Sequence, residues 1–408
     1  MEFLDINLIR MNTVHTYGIA VVMILFSIAC ESENDTTKSV KTNKTIQTTT
    51  DLIIGLEDQP AEHQLGDPIA VRTDSLNNIY IADRASKIIK VFDSEGNYLR
   101  SLGGRGRGPG EFQDMEFMEL TPEGHLVLMD RGNLLYTIIS TQGESIQSFP
   151  YNMSEQFYPS SIAFVNDQLL ALFLDHNPYS EIPGFDRHLF YVYSSDFQDL
   201  FYSFFPFSNL DMDERYVWKK MIYNPGSFSL NSDKDLFIFS SAVYTGKLYQ
   251  LKKNGFGRWV YSETITGLEP ASVPYEIFST ESEFKASSNL PGALSIYGEE
   301  ISYGRLLSLD LGIFYFDDGR IVHFFGERRE NEDFGPESDY HFIDVHVQIF
   351  NEDGELDSYK ELFSIEQHQG TILMSTPVNW KDQDDNFYLI DRMEHVPLIR
   401  RFTLEIED

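Results

Sequence analysis

Cysteine, tryptophan and basic residues are scarce in this chain, and long apolar runs are missing beyond one near its start. One cysteine, Cys30, among 408 residues supplies no second thiol, and the ten histidines are scattered, so no zinc site is expected. His341 and His346 lie near each other, but their odd spacing would turn them to opposite faces of a strand. Lys and Arg total 31 against 64 Asp and Glu, giving a formal charge of −33. A surface of that sign repels the phosphate backbone, so nucleic acid is disfavoured as a partner. The apolar run Tyr17 to Ala29 covers about 13 residues, short of the ~20 that a helix needs to span a bilayer. No Gly-x-Ser-x-Gly elbow or nucleophile–base motif stands out, and nothing calls for a cofactor. The acidic turn Asp382 to Asp385 lacks the glycine and the spaced ligands of a calcium loop.

What is present begins with that short apolar run, whose length suits the core of a signal peptide. It ends at Ser27-Ile28-Ala29-Cys30, which resembles the lipobox of bacterial lipoproteins, with Ser27 where a large apolar residue is usual. The resemblance implies a signal peptide over residues 1–29, acylation of Cys30, and membrane lipid as a partner through that cysteine. Several acyl chains, at ~0.8 kcal/mol per buried methylene, hold a protein stably where one chain is marginal. The expected location is the cell envelope, lipid-anchored to the outer membrane on its periplasmic or surface face. Residues 30–50 are rich in Thr and charge and poor in large apolar groups, and read as a flexible tether. The acidic start of that stretch, Glu31 to Asp35, resembles surface-export signals of some Gram-negative lipoproteins.

The aromatic content, 14% with 32 Phe and 22 Tyr against 3 Trp, favours a β-rich fold, because flat rings pack well on pleated surfaces. Internal repetition then gives the architecture. Residues 67–112 hold four alternating segments, IAVRT, NIYIAD, KIIKVFD and YLRSLG, separated by turn formers. Four short antiparallel strands make one blade of a propeller. A second copy follows about 47 residues later, with Asp83-Arg84 in register with Asp130-Arg131 and Gly96 with Gly143. Looser copies run from SIAFVNDQLLALFLDHN to HLFYVYSSD and from SFSLNSDKDLFIFSS to KLYQLKKNG, and a fifth outer hairpin lies at VHVQIFNEDGELDSYKEL. The sixth copy restores the pair as Asp391-Arg392 but stops after its third strand. A strand from Asp51 to Leu56 would supply the fourth and close the ring, removing an exposed edge. Between the fourth and fifth copies the spacing doubles, and PYEIFSTESEFKASSNLPG reads as an insertion with a short helix, a degenerate seventh blade being the competing reading.

On these residues the chain resembles NHL-repeat proteins, and more closely the six-bladed β-propeller lipoproteins of Gram-negative bacteria. The match is closest over IYIAD, KIIKVFDSEG and GGRGRGPGEF of the first copy. It implies an all-β propeller of four-stranded antiparallel blades over residues 51–408. It implies no single activity, since propellers serve as binding platforms, scaffolds, lyases and lactonases.

Candidate binding residues follow from the path of the chain. The turn after each second strand and the connection between blades open on one rim, so Arg84, Arg131, Arg392, Arg105 and Arg107 should share it. A basic cluster in a negative field marks a site for anions. His176 and the stretch with Arg215, Tyr216 and Trp218 should join them, aromatic and cationic groups that suit glycans or acidic peptides. Asp83, Asp130 and Asp391 are expected to accept backbone hydrogen bonds in their turns, and the glycines of GGRGRGPGEF to serve an inter-blade turn, not a phosphate loop. The expected function is a non-catalytic, membrane-tethered binding or scaffold module for glycan, peptide or protein. A propeller enzyme of the lyase or lactonase type is the alternative, distinguished by three or more carboxylate or histidine groups at the mouth of the channel.

Overall fold

The computed structural model describes residues 44–151, 159–173, 188–210, 225–288, 290, 293–297, 300–330, 340–368, 377–392 and 396–407. Its strands form six four-stranded antiparallel sheets set as the blades of a propeller. Blade one comprises Pro68–Thr73, Ile79–Asp83, Ile88–Phe92 and Tyr98–Gly103, where the alternating segments predict it. Blade two comprises Met115–Leu120, Leu126–Asp130, Leu135–Ile139 and Ser145–Pro150. Blade three takes Pro159–Val165, Gln168–Phe173, His188–Ser194 and Leu200–Pro206. Gly226–Leu230, Leu236–Ser241, Lys247–Lys253 and Trp259–Thr266 make blade four. Ser308–Tyr315, Ile321–Glu330, Tyr340–Phe350 and Leu356–His368 make blade five.

Within a blade the first strand lies innermost, and the second and third are covered on both faces by the neighbouring blades. Sequences such as IYIAD and LVLMD are therefore buried throughout, while the outer Ser145–Pro150 is largely exposed. Six apolar clusters follow among the described residues, one at each blade interface. Tyr80 and Val91 of blade one meet Met118 and Leu128 of blade two, and Ile79 and Phe92 meet Tyr388 and Ile390 of blade six. Gly96 and Gly143 hold φ of 83° and 89° in equivalent turns, the left-handed region that favours glycine.

Blade six contains Val378–Lys381, Phe387–Asp391 and Leu398–Glu407, and its fourth strand is Thr45–Ile54 from the other end of the chain. The closing strand thus begins at Thr45, not Asp51, so residues 45–50 leave the expected tether and join the propeller. Thr45 pairs with Glu407 and Ile54 with Ile399, while Ile46 and Ile54 are buried. Lys44 and Lys360 tie the strand to blade five, through Asp357 at 2.8 Å and the Ile46 carbonyl at 2.7 Å.

The doubled spacing between blades four and five is an insertion. A three-stranded sheet of Tyr275–Phe278, Ala293–Tyr297 and Glu300–Leu306 packs with the helix Glu281–Ser287, which Thr280 caps. Its interior holds Arg305, fully buried, whose guanidinium donates to Glu276, Ser287 and the carbonyls of Phe284, Ser288 and Leu290, with the Phe284 ring 4.7 Å away. A buried charge is tolerated only when so fully met.

Candidate functional site

The six innermost strands enclose a central cavity of about 490 Å³, lined in part by Arg72, Glu116, Glu119, Phe228, Phe314 and Trp380. Near the start of these strands the ladder carries a bulge in five blades, at Ile69, Glu116, Ser160, Leu311 and Asn379. A bulge re-aims the extra residue. In blade two that residue is a carboxylate, Glu116, its side chain only 6% exposed.

Arg84, Arg131 and Arg392 come together beside Glu116. Arg84 Nε donates to Asp67 Oδ2 at 2.7 Å, and its Nη1 lies 3.9 Å from Glu116 Oε2. Arg131 donates from Nε to Asp114 Oδ2 at 2.9 Å and lies 3.1 Å from Glu116 Oε1. Arg392 Nη2 donates to the Pro68 carbonyl at 2.9 Å and sits 3.4 Å from Asp67 Oδ1. Lys87 approaches Asp114 at 3.9 Å and completes the chain of charges. The expected basic patch is therefore a mixed network, because the connections entering blades one and two carry Asp67 and Asp114 at the level of the arginines. Arg392 of blade six reaches across the interface to Asp67 of blade one.

The aspartates before these arginines have a structural task. Asp83 accepts from the amides of Gly66 and Asp67 and from Ser86, and Asp130 accepts from those of Gln113 and Asp114 and from Asn133. Each clasps the incoming connection, and so fixes Asp67 or Asp114 for the arginine. Asp391 instead accepts from Arg400.

Burial is the largest influence on Glu116 and raises its pKa from 4.5 to about 7, with Asp114 and Asp67 adding to the rise and Arg131 and Arg84 opposing it. Burial also lowers the pKa of Arg392, aided by Arg84 and opposed by Asp67.

Arg105 and Arg107 lie on the connection between blades one and two, both exposed and without an ion pair among the described residues. The Gly106 carbonyl between them accepts from Asn133, which sets this loop beside the Arg131 turn. Gly103 and Gly110 have φ of 81° and 74°, and Phe112 is buried and pins the loop, as an inter-blade turn requires. His176, Arg215, Tyr216, Trp218 and Cys30 lie outside the described residues.

A second charged pair crosses the cavity wall. Arg72 donates to Glu119 at 2.9 Å and to Asn379 at 3.0 Å, and its guanidinium lies 4.7 Å from the Trp380 ring centre. Sequence reasoning passed over Asp67, Asp114, Glu116, Arg72 and Glu119. The repeat could have shown four of them, since Asp67 aligns with Asp114 and Arg72 with Glu119 in the register that aligns Arg84 with Arg131.

Away from the channel, Ser240, His323 and Asp310 form a constellation like that of a hydrolase, but its geometry rules out nucleophilic catalysis. Ser240 Oγ and Asp310 Oδ1 both meet His323 Nε2, at 2.9 and 3.1 Å, and the Gln348 amide nitrogen donates to Nδ1 at 2.8 Å. Nε2 therefore carries the proton and cannot take one from Ser240. All three residues are buried, and the network joins blades four and five.

A family described as a 6-bladed beta-propeller matches residues 54–169. Among solved structures, a member of the DUF4221 family from Bacteroides vulgatus superposes with a TM-score of 0.52 at 10% identity, covering 89% of this chain and 99% of that one. A protein of Bacteroides fragilis gives 0.48 at 10% identity over 89% and 96% of the two chains. The gluconolactonase XC5397 of Xanthomonas campestris gives 0.43 at 11% identity over 88% and 99%. The first likeness shows the fold alone. No curated protein matches the chain.

Proposed function

We propose that this six-bladed propeller is a membrane-tethered extracytoplasmic binding or scaffold module, held by acylated Cys30, that takes a glycan, peptide or protein ligand at the rim of its central channel. One observation carries the reading. Arg84, Arg131 and Arg392, from three separate blades of a chain with net charge −33, converge beside the cavity. Rigid scaffolds commonly bind through the loops at such a rim. The test is a screen of the full chain, kept in detergent, on glycan and peptide arrays, repeated with Arg84, Arg131 and Arg392 all changed to Lys. A ligand retained equally by the triple variant would place recognition elsewhere.

A second reading, a propeller enzyme of lyase or lactonase type, is favoured by Glu116. A carboxyl of pKa about 7 in a cavity wall suits general acid–base chemistry at neutral pH, and Asp67 and Asp114 pair with the two arginines that approach it. Turnover abolished by Glu116→Gln with ligand binding retained would establish it.

A further inference from the structure

The charge network at the channel mouth contains donors that its own carboxylates leave unmet. Arg84 spends Nε on Asp67, and among the described residues its two terminal nitrogens make no hydrogen bond, the nearest acid being Glu116 at 3.9 Å. Arg392 Nε is buried and has no acceptor. Both guanidinium groups approach Asp67, so Arg392 adds its charge beside the spare donors of Arg84. Four cations, Arg84, Arg131, Arg392 and Lys87, face three carboxylates, Asp67, Asp114 and Glu116.

We propose that a small carboxylate-bearing molecule docks on the unmet terminal donors of Arg84, beside the Arg392 guanidinium, and that Glu116 takes up a proton from solvent as it does so. This rests on the channel-mouth reading and adds to it the ligand's charge and a coupling to pH. The two terminal nitrogens of a guanidinium such as that of Arg84 form a planar fork suited to a carboxylate. The incoming anion would be a fourth carboxylate in a half-buried cluster, and like charges at such distances disfavour joint ionisation. Glu116 is the acid to give way, because it is the most buried of the three and faces both Arg84 and Arg131 as well as Asp67 and Asp114. No covalent bond forms or breaks. Of this network, Glu116 lines the adjoining cavity of about 490 Å³, so the rest of a docked molecule of sugar-acid size can extend past Glu116 into it.

The test is titration calorimetry of the full chain in detergent with D-glucuronate and acetate as carboxylate probes and D-glucose as the neutral control. Repeating it near pH 7 in buffers of different ionisation enthalpy counts the protons exchanged. The expected result is binding of the acids over glucose, with a proton taken up on binding and affinity falling about tenfold per pH unit as the medium becomes more alkaline than the titration of Glu116. Glu116→Gln should bind the acids with a flat pH profile, and Arg84→Lys and Arg392→Lys should each weaken them. Acid binding without proton uptake, or unaffected by either Lys variant, overturns the proposal. So does failure of both acids to bind. Equal binding of glucose and glucuronate also overturns it, while leaving the channel-mouth reading intact.

Discussion

Ring closure by the amino-terminal strand can be tested at single side chains. Ile46 and Ile54 lie near opposite ends of Thr45–Ile54 and enter different cores, Ile46 beside Val347 and Phe402 and Ile54 beside Val71 and Ile399. Truncating a buried Ile to Ala costs about 2–5 kcal/mol. Changes so far apart add, so the double variant should lose about 4–10 kcal/mol, comparable with the whole stability of many domains. At about 2.1 cal/mol/K per residue, the unfolding entropy of this propeller is about 0.8 kcal/mol/K, so each single variant should melt about 3–6 °C lower. The control is Thr49→Ala on the same strand, exposed and expected to change stability by under ~0.5 kcal/mol. Scanning calorimetry reads the parent and the four variants. If Ile54→Ala melts with Thr49→Ala, the strand adds nothing to the ring and the reasoning fails.

Two further outcomes are expected. Glu116 has a pKa raised in the fold from 4.5 to about 7, so its contribution is complete below the lower value and is lost as pH rises through the upper one. At 1.36 kcal/mol per pH unit the loss is about 3 kcal/mol. Denaturant titrations should therefore show Glu116→Gln gaining on the parent by about that amount between pH 5 and pH 8, and a constant difference would contradict the burial argument. Cys30→Ala should leave the protein unlipidated and move it from the membrane to the soluble fraction; retention as an integral protein would refute anchoring through that thiol.

Much of the fold was legible because blades repeat. The turn glycines Gly96 and Gly143 and the Asp-Arg pairs recur in one register, and the middle strands announce themselves as apolar runs. The closing strand was only half legible. Gln47 to Asp51 are exposed, so their composition matches a linker, while the pairing that orders them runs through backbone groups that composition does not record. In blade five only the outer hairpin was read, although the inner strands Ser308–Tyr315 and Ile321–Glu330 flank an Asp-Gly turn at Asp318-Gly319. For the site, chain direction brought the arginines to one rim, but their partners depend on which blade lies beside which. Arg392 is matched by Asp67, more than 300 positions away in the chain, and no local pattern reports that.

The pairing of Thr45–Ile54 with Leu398–Glu407 also imposes an order on folding. Gln47 bonds to Glu407 across 360 positions, so the ring cannot shut until Leu398–Glu407 has been made and delivered. Until then the last blade has an open edge and the amino-terminal strand has no partner, a state exposed to association with other chains. Closure joins segments about 360 positions apart and belongs among the slow steps of assembly. Blades one to five can form as they emerge, whereas the ring as a whole waits for Leu398–Glu407.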